Sequence, residues 1–242
     1  MVKFIDLAPS PRVLAMLGEI DLEPWRCIAE LIDNGIDSFL LAALDESKDN
    51  NNHRIDITIP KKQTYGKNIT VKDNGPGLSL KQLENMVKAG WTSKSGLDTL
   101  GLFGMGFNIA TARLGTVTQV WTTRKEDDEW VGVEIDFEKL IKEKSFQTEK
   151  LTRPKIERNE SGTEVNIAKL KNETSRWFAK SYNRRRLKNI LSRAYSSILE
   201  GGNNQLGDIK MYLNNEYVKP YKFCVWGNPN DGPDYEPRYG KS

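Results

Sequence analysis

Histidine is almost absent from this 242-residue chain and cysteine nearly so. A single histidine, His53, excludes a histidine-rich metal site and argues against a Ser-His-Asp triad. The two cysteines, Cys27 and Cys224, stand far apart with no second pair, so neither a zinc site nor a disulfide framework is expected. No run approaches the roughly 20 apolar residues of a membrane span. No basic-then-apolar leader opens the chain. The expected location is therefore cytoplasmic, with no membrane partner. The net charge of +3 is too small to impose a global field for nucleic acid. No internal repeat is visible.

What is present fits a globular protein: 38% hydrophobic and 29% charged residues. The length corresponds to one large domain or a domain and a half. Such a chain buries roughly 70% of its unfolded surface and needs no disulfide or metal to hold a core.

Hydrophobic periodicity predicts a brief helix at 13–17 and a longer one at 23–44, with Pro24 suited to the first turn. Alternation predicts strands at 54–59 and 68–73, then a turn at 74–77. Ser79 is placed to N-cap a helix reaching about residue 89. Residues 90–106 read as a long loop rich in Gly, Ser and Thr, followed by a helix at 107–114. Strands at 116–123 and 129–137 form a hairpin, and 162–170 is another strand. One long helix is expected at 176–199 and a last short strand at 208–213. From 227 the composition is that of a linker, so the chain is expected to be the front piece of a longer protein. Few βαβ alternations occur. The expected fold is α+β, a two-layer sandwich with helices on one face of a mixed, mostly antiparallel sheet.

Three features carry chemistry. On the first long helix, Glu30, Asn34 and Asp37 fall within about 60° of one another, away from the apolar face centred on Ile32 and Ile36. A solvated face is the ordinary explanation of such a stripe, but no cation interrupts it between Cys27 and Asp45. A carboxylate there can orient and deprotonate water. An amide oxygen can be one ligand of Mg²⁺. Asp37 could hold one of these side chains in place.

The second feature is Asp73-Asn74-Gly75-Pro76-Gly77, directly after a strand. Every residue in it is also an ordinary turn former. Its glycines would let a ligand approach the backbone, and Asp73 can accept a hydrogen bond from an exocyclic amine such as that of adenine. The third is Gly101-Leu102-Phe103-Gly104-Met105-Gly106, followed by a helix from Phe107. Small residues before a helix N-terminus make an anion site. The spacing is neither the dinucleotide G-x-G-x-x-G nor a Walker A loop. Ser93 and Lys94 precede the loop and could add a hydroxyl and a cation to bound phosphates.

Taken together, Glu30-x-x-x-Asn34-x-x-Asp37, Asp73-x-Gly75-x-Gly77, Gly101-x-x-Gly104-x-Gly106 and Gly162-Thr163 resemble, in order, the motifs of the GHKL ATPases with the Bergerat nucleotide-binding fold. That group contains DNA gyrase B, MutL mismatch-repair proteins, the ninety-kilodalton heat-shock chaperones and sensor histidine kinases. The resemblance spans about residues 23–170, and residues 92–115 look most like the MORC branch.

The resemblance implies that Glu30 is the general base for the attacking water and that Asn34 binds Mg²⁺. It implies that Asp73 reads the adenine amine, with Thr163 helping through a water, and that Gly77 and Met86 shape the adenine pocket. Residues from about 90 to 106 would be a lid over ATP. It implies a homodimer closed by ATP binding and reopened by hydrolysis. It divides the chain into an N-terminal arm (1–22), an ATP-binding domain (23–220) and a linker or following domain (221–242). A carboxylate at position 30 favours hydrolysis over a kinase-like domain, whose phosphoacceptor histidine would lie upstream. A nucleotide-gated module with little turnover is the other alternative. A basic run from Lys169 to Arg193 could contact DNA phosphates, although such runs are more often solvated helix faces.

Overall fold

The computed structural model describes residues 16–43, 52–63, 66–88, 106–201 and 208–222. Expectations for the N-terminal arm before residue 16, for 89–105 and for 223–242 fall outside the described residues. The first long helix, α1 (Pro24–Ala43), buries Ile28, Leu31, Ile32, Ile36 and Phe39 along one side. Two strands follow, β1 (Asn52–Thr58) and β2 (Ile69–Asp73). Helix α2 (Leu80–Val87) starts as predicted at Ser79. The Ser79 hydroxyl accepts from the Gln82 amide while the Gln82 side chain accepts from the Ser79 amide, a reciprocal capping box.

Helix α3 (Gly106–Leu114) runs straight into β3 (Gly115–Thr123), which pairs in a hairpin with β4 (Glu129–Asp136). Arg124 and Asp127 close the connecting turn with side-chain hydrogen bonds of 2.7 and 3.1 Å. The chain then departs from the sequence reading. Asp136 ends β4 and caps a short helix, α4 (Phe137–Glu143), accepting from the amides of Glu138 and Lys139. An unforeseen edge strand, β5 (Lys150–Pro154), precedes β6 (Gly162–Leu170).

The single helix predicted at 176–199 is three: α5 (Asn172–Ala179), α6 (Ser181–Ala194) and α7 (Ser196–Leu199). The first break is at Lys180, whose backbone is extended. There Arg184 donates to the carbonyls of Phe178 and Ala179, and Asn183 donates to that of Trp177, satisfying the end of α5. The break turns Phe178 into the same core that buries Leu187 and Leu191. Strands β7 (Asp208–Leu213) and β8 (Glu216–Tyr217) complete the described chain.

The eight strands form one sheet in the order β5-β4-β3-β6-β2-β1-β7-β8. Every pairing is antiparallel except β1 with β7. The mixed, mostly antiparallel sheet and the helices packed on it confirm the expected α+β architecture. Register explains the layering. Val133, Val120, Val165, Val71, Ile57 and Leu213 are directly opposite one another across six strands, a row of apolar side chains on one face. They pack with α1, α3 and α6 in a common core. The alternate positions carry Lys72, Gln119, Trp121, Glu164, Asn166 and Tyr212 on the other face. There Arg153 lies against the rings of both Trp121 and Trp130.

Candidate functional site

Two residues along from the valine row, the helix-covered face turns polar. Thr122 and Thr163 are opposed there, one place beyond the Lys72–Glu164 pair that brings Asp73 alongside. Asp73 ends β2 at 8% exposure. Its Oδ1 accepts from the amides of Gly75 at 2.9 Å and Thr163 at 3.2 Å. Among the described residues no donor reaches Oδ2, which lies on the side of Gly35 in α1. One carboxylate oxygen thus holds the loop, and the other meets no donor among the described residues. Burial pushes the Asp73 carboxyl up to about 7, against the lowering effect of those amides.

The threonines form the floor beside it. The Thr122 hydroxyl donates to the Gly162 carbonyl at 3.1 Å, accepts from the Leu78 amide at 2.7 Å, and lies 3.3 Å from the Thr163 hydroxyl. Gly77 brings the loop onto this floor in a left-handed conformation, φ +75°. A β-carbon at Gly77 would run into the Thr123 carbonyl, so only glycine fits the approach.

The other end of the site is built on α1, one to two turns earlier. From Gly35 back to Glu30 is five residues, about 7.5 Å along the axis. The Glu30 carboxylate lies against the α-carbon of Gly106, the first described residue of α3, where a β-carbon would collide with Oε2. A carboxylate there faces the positive end of the helix dipole. Burial raises the Glu30 carboxyl above the ordinary range, and the neighbouring charge of Asp33 adds to the rise. Asn34 is exposed on the same stripe and Asp37 is half-buried.

The structure therefore brings Asp73, Gly75, Gly77 and Thr163 together at one end, and Glu30 and Gly106 at the other. Met86 is partly buried and packs against the core. The Phe107 side chain is in the core, so what position 107 turns outward is backbone in the first turn of α3. Ser93, Lys94, Gly101, Leu102, Phe103, Gly104 and Met105 lie outside the described residues.

A profile of the histidine kinase-, DNA gyrase B-, and HSP90-like ATPases matches residues 22–174, a span that holds every one of these groups. The chain belongs to this family. Two plant proteins from Arabidopsis thaliana are similar to it. Protein MICRORCHIDIA 4 is 34% identical over 88 residues, 36% of this chain and 10% of that protein. Protein MICRORCHIDIA 1 is 32% identical over 98 residues, 40% of this chain and 14% of that protein. These matches agree with the MORC branch expected from residues 92–115. The chain spans only a small part of the length of either relative.

Around this GHKL site the structure also places contacts that the sequence pattern did not join. Thr122 makes one. Its place in an alternating strand marks it as inward-facing, but nothing local says that it meets Leu78 and Gly162. Asp33, on the acidic stretch of α1, and Tyr195 make another: the Tyr195 hydroxyl donates to Asp33 Oδ1 at 2.7 Å across 162 residues of sequence. No sequence window holds both.

Proposed function

We propose that this chain is the ATP-binding and ATP-hydrolysing domain of a larger protein, in which closure over Mg-ATP draws two copies together. One observation carries the reading: a buried carboxylate beside Gly35, one oxygen of which meets no donor among the described residues, and a second carboxylate at the start of α3 are separated by about one and a half turns of α1. The first suits an amine-bearing base and the second a reaction at phosphate.

The residues fit the nucleotide and its ion. Asp73 Oδ2 accepts the adenine amine, with Oδ1 kept in place by Gly75 and Thr163. The amides of the first described turn of α3 would donate N–H groups to phosphate oxygens. Asn34 presents one neutral oxygen, which suits Mg²⁺ because that ion keeps several waters and takes few protein ligands. When bound, magnesium would neutralise phosphate charge. Glu30 orients the attacking water and takes its proton, a task helped by a carboxyl raised toward the working pH.

His53 does not favour a kinase reading of this chain. It is 2% exposed and stacks on Phe39 with ring centroids 4.4 Å apart. The basic run also shrinks on folding. Lys169 pairs with Asp136, Lys171 with Glu19, Arg186 with Glu23 and Lys188 with Glu216. Any DNA contact would rest on Arg176, Lys180, Arg185 and Arg193, none of them ion-paired among the described residues.

Calorimetry with Mg-ATP and Mg-ADP tests the binding reading, and absence of heat would overturn it. Glu30→Ala separates the functions: a hydrolase loses roughly 10²–10⁴ in turnover while keeping affinity, whereas a gated module changes little. Light scattering should show a dimer with a non-hydrolysable analogue and little or none without nucleotide.

A further inference from the structure

The break between α6 and α7 places one side chain against the chemistry end of α1. Tyr195, φ −105° and ψ 13°, interrupts the helix there and is 7% exposed. Its hydroxyl donates to Asp33 Oδ1 at 2.7 Å and lies 3.3 Å from the Ala29 carbonyl. Ala29 immediately precedes Glu30, and Asp33 immediately precedes Asn34. One phenol thus touches the backbone before the first of these two residues and the side chain before the second. Without that donor the Asp33 carboxylate, one turn from Glu30 on the same side of α1, would be free to re-aim toward it.

The same break is held from outside. As the chain leaves β8 it runs back over α6 and α7. The Ser192 hydroxyl donates to the Lys219 carbonyl at 2.6 Å, and the Tyr221 amide donates to the Ser192 carbonyl at 3.1 Å. The Ser196 hydroxyl donates to the Tyr221 carbonyl, and the Arg193 guanidinium lies 4.4 Å from the centre of the Tyr221 ring. These contacts flank Tyr195 on both sides in sequence. A segment that docks on residues 192, 193 and 196 sets where residue 195 stands.

We propose that Tyr195 is a positioning residue for Glu30 and Asn34, and that docking of residues 218–222 on the α6–α7 break sets its position and so tunes turnover. The proposal rests on Glu30 as the general base. It is a contiguous physical connection, and a coupling measurement decides it.

Two variants separate the parts. Tyr195→Phe keeps the ring and removes the donor, and the pair Ser192→Ala with Ser196→Ala unclips the segment. Both should lower kcat for Mg-ATP by about tenfold with KM unchanged, since a misplacement of 1 Å can cost up to roughly 10²-fold. Combined, they should cost less than the product of the two, because they act through one contact. Amide hydrogen exchange across 29–34 should quicken in both without a large change in the melting midpoint. Unchanged exchange at 29–34, or kcat and KM moving together, overturns the proposal. Glu30→Gln is the control: if it turns over normally, the assignment of the base fails, and the exchange result alone then decides the role of Tyr195.

Discussion

The Glu30 carboxylate rests on the bare α-carbon of Gly106, so the tip of one helix is shaped by the side chain of another. The group in the way is the far end of a flexible side chain, so adding a methyl there would re-aim Glu30 rather than unfold α3. Gly106→Ala should leave the melting midpoint nearly unchanged and cut ATP turnover by roughly 10²-fold. Steady-state kinetics beside a thermal melt checks both halves. Normal turnover would show that Glu30 does not act from this position.

Asp73→Asn keeps an oxygen for Gly75 and Thr163 but puts an NH₂ where Oδ2 was. A donor then faces the adenine amine. An unsatisfied polar group costs about 1–3 kcal/mol, or roughly 5- to 150-fold in affinity. Calorimetry with ADP should show that loss. Equal affinity would remove Asp73 from the adenine contact.

The same aspartate makes stability depend on pH. Its carboxyl is pushed from an ordinary 3.8 up to about 7 by burial, so the nucleotide-free fold holds a proton that the unfolded chain gives up. The folded state then binds more protons between these values, and stability falls as pH rises. The contribution is complete below about pH 4 and is lost as pH passes about 7, on the order of 4 kcal/mol in all. Denaturant melts from pH 4 to 8 should show this slope in the wild type and a shallower one in Asp73→Asn, where the buried Glu30 carboxyl still contributes in the same direction. An adenine amine favours the charged carboxylate. Nucleotide binding at pH 6 should therefore release a proton, seen as binding heat that varies with the ionisation heat of the buffer.

Gly77→Ala tests the loop that carries the adenine end. A left-handed non-glycine residue costs about 1–3 kcal/mol, and here the methyl also meets the Thr123 backbone carbonyl, which cannot swing aside. A total upward of roughly 2 kcal/mol corresponds to a fall of about 4–8 °C in the melting midpoint for a domain of this size. An unchanged midpoint would mean that the loop has another conformation in solution.

Much of this was legible along the chain, because the signals are local. Ser79 with Gln82 is a capping box written in four residues, and it formed. The acid-amide stripe of α1 follows from a period of 3.6, and its apolar opposite side is buried. The readings that failed needed distant partners. A helical pattern at 176–199 has no local stop at Lys180 or Tyr195. The chain breaks there because Phe178 gains a place in the core and the Tyr195 hydroxyl gains Asp33 as an acceptor. Strand β5 has little pattern of its own and exists by pairing with β4.

By itself the sequence determined which side chains could do chemistry: a carboxylate and an amide one turn apart, an aspartate at a strand end, and glycines where a ligand or a backbone must come close. Those follow from bond geometry and residue type, which act over a few neighbours. The tertiary structure alone decided which of them meet. Strand register set Thr122 and Thr163 beside Asp73, helix packing seated Glu30 on Gly106, and a helix break carried Tyr195 to Asp33. Each of these contacts joins residues dozens of positions apart, and only burial of a shared core holds them together.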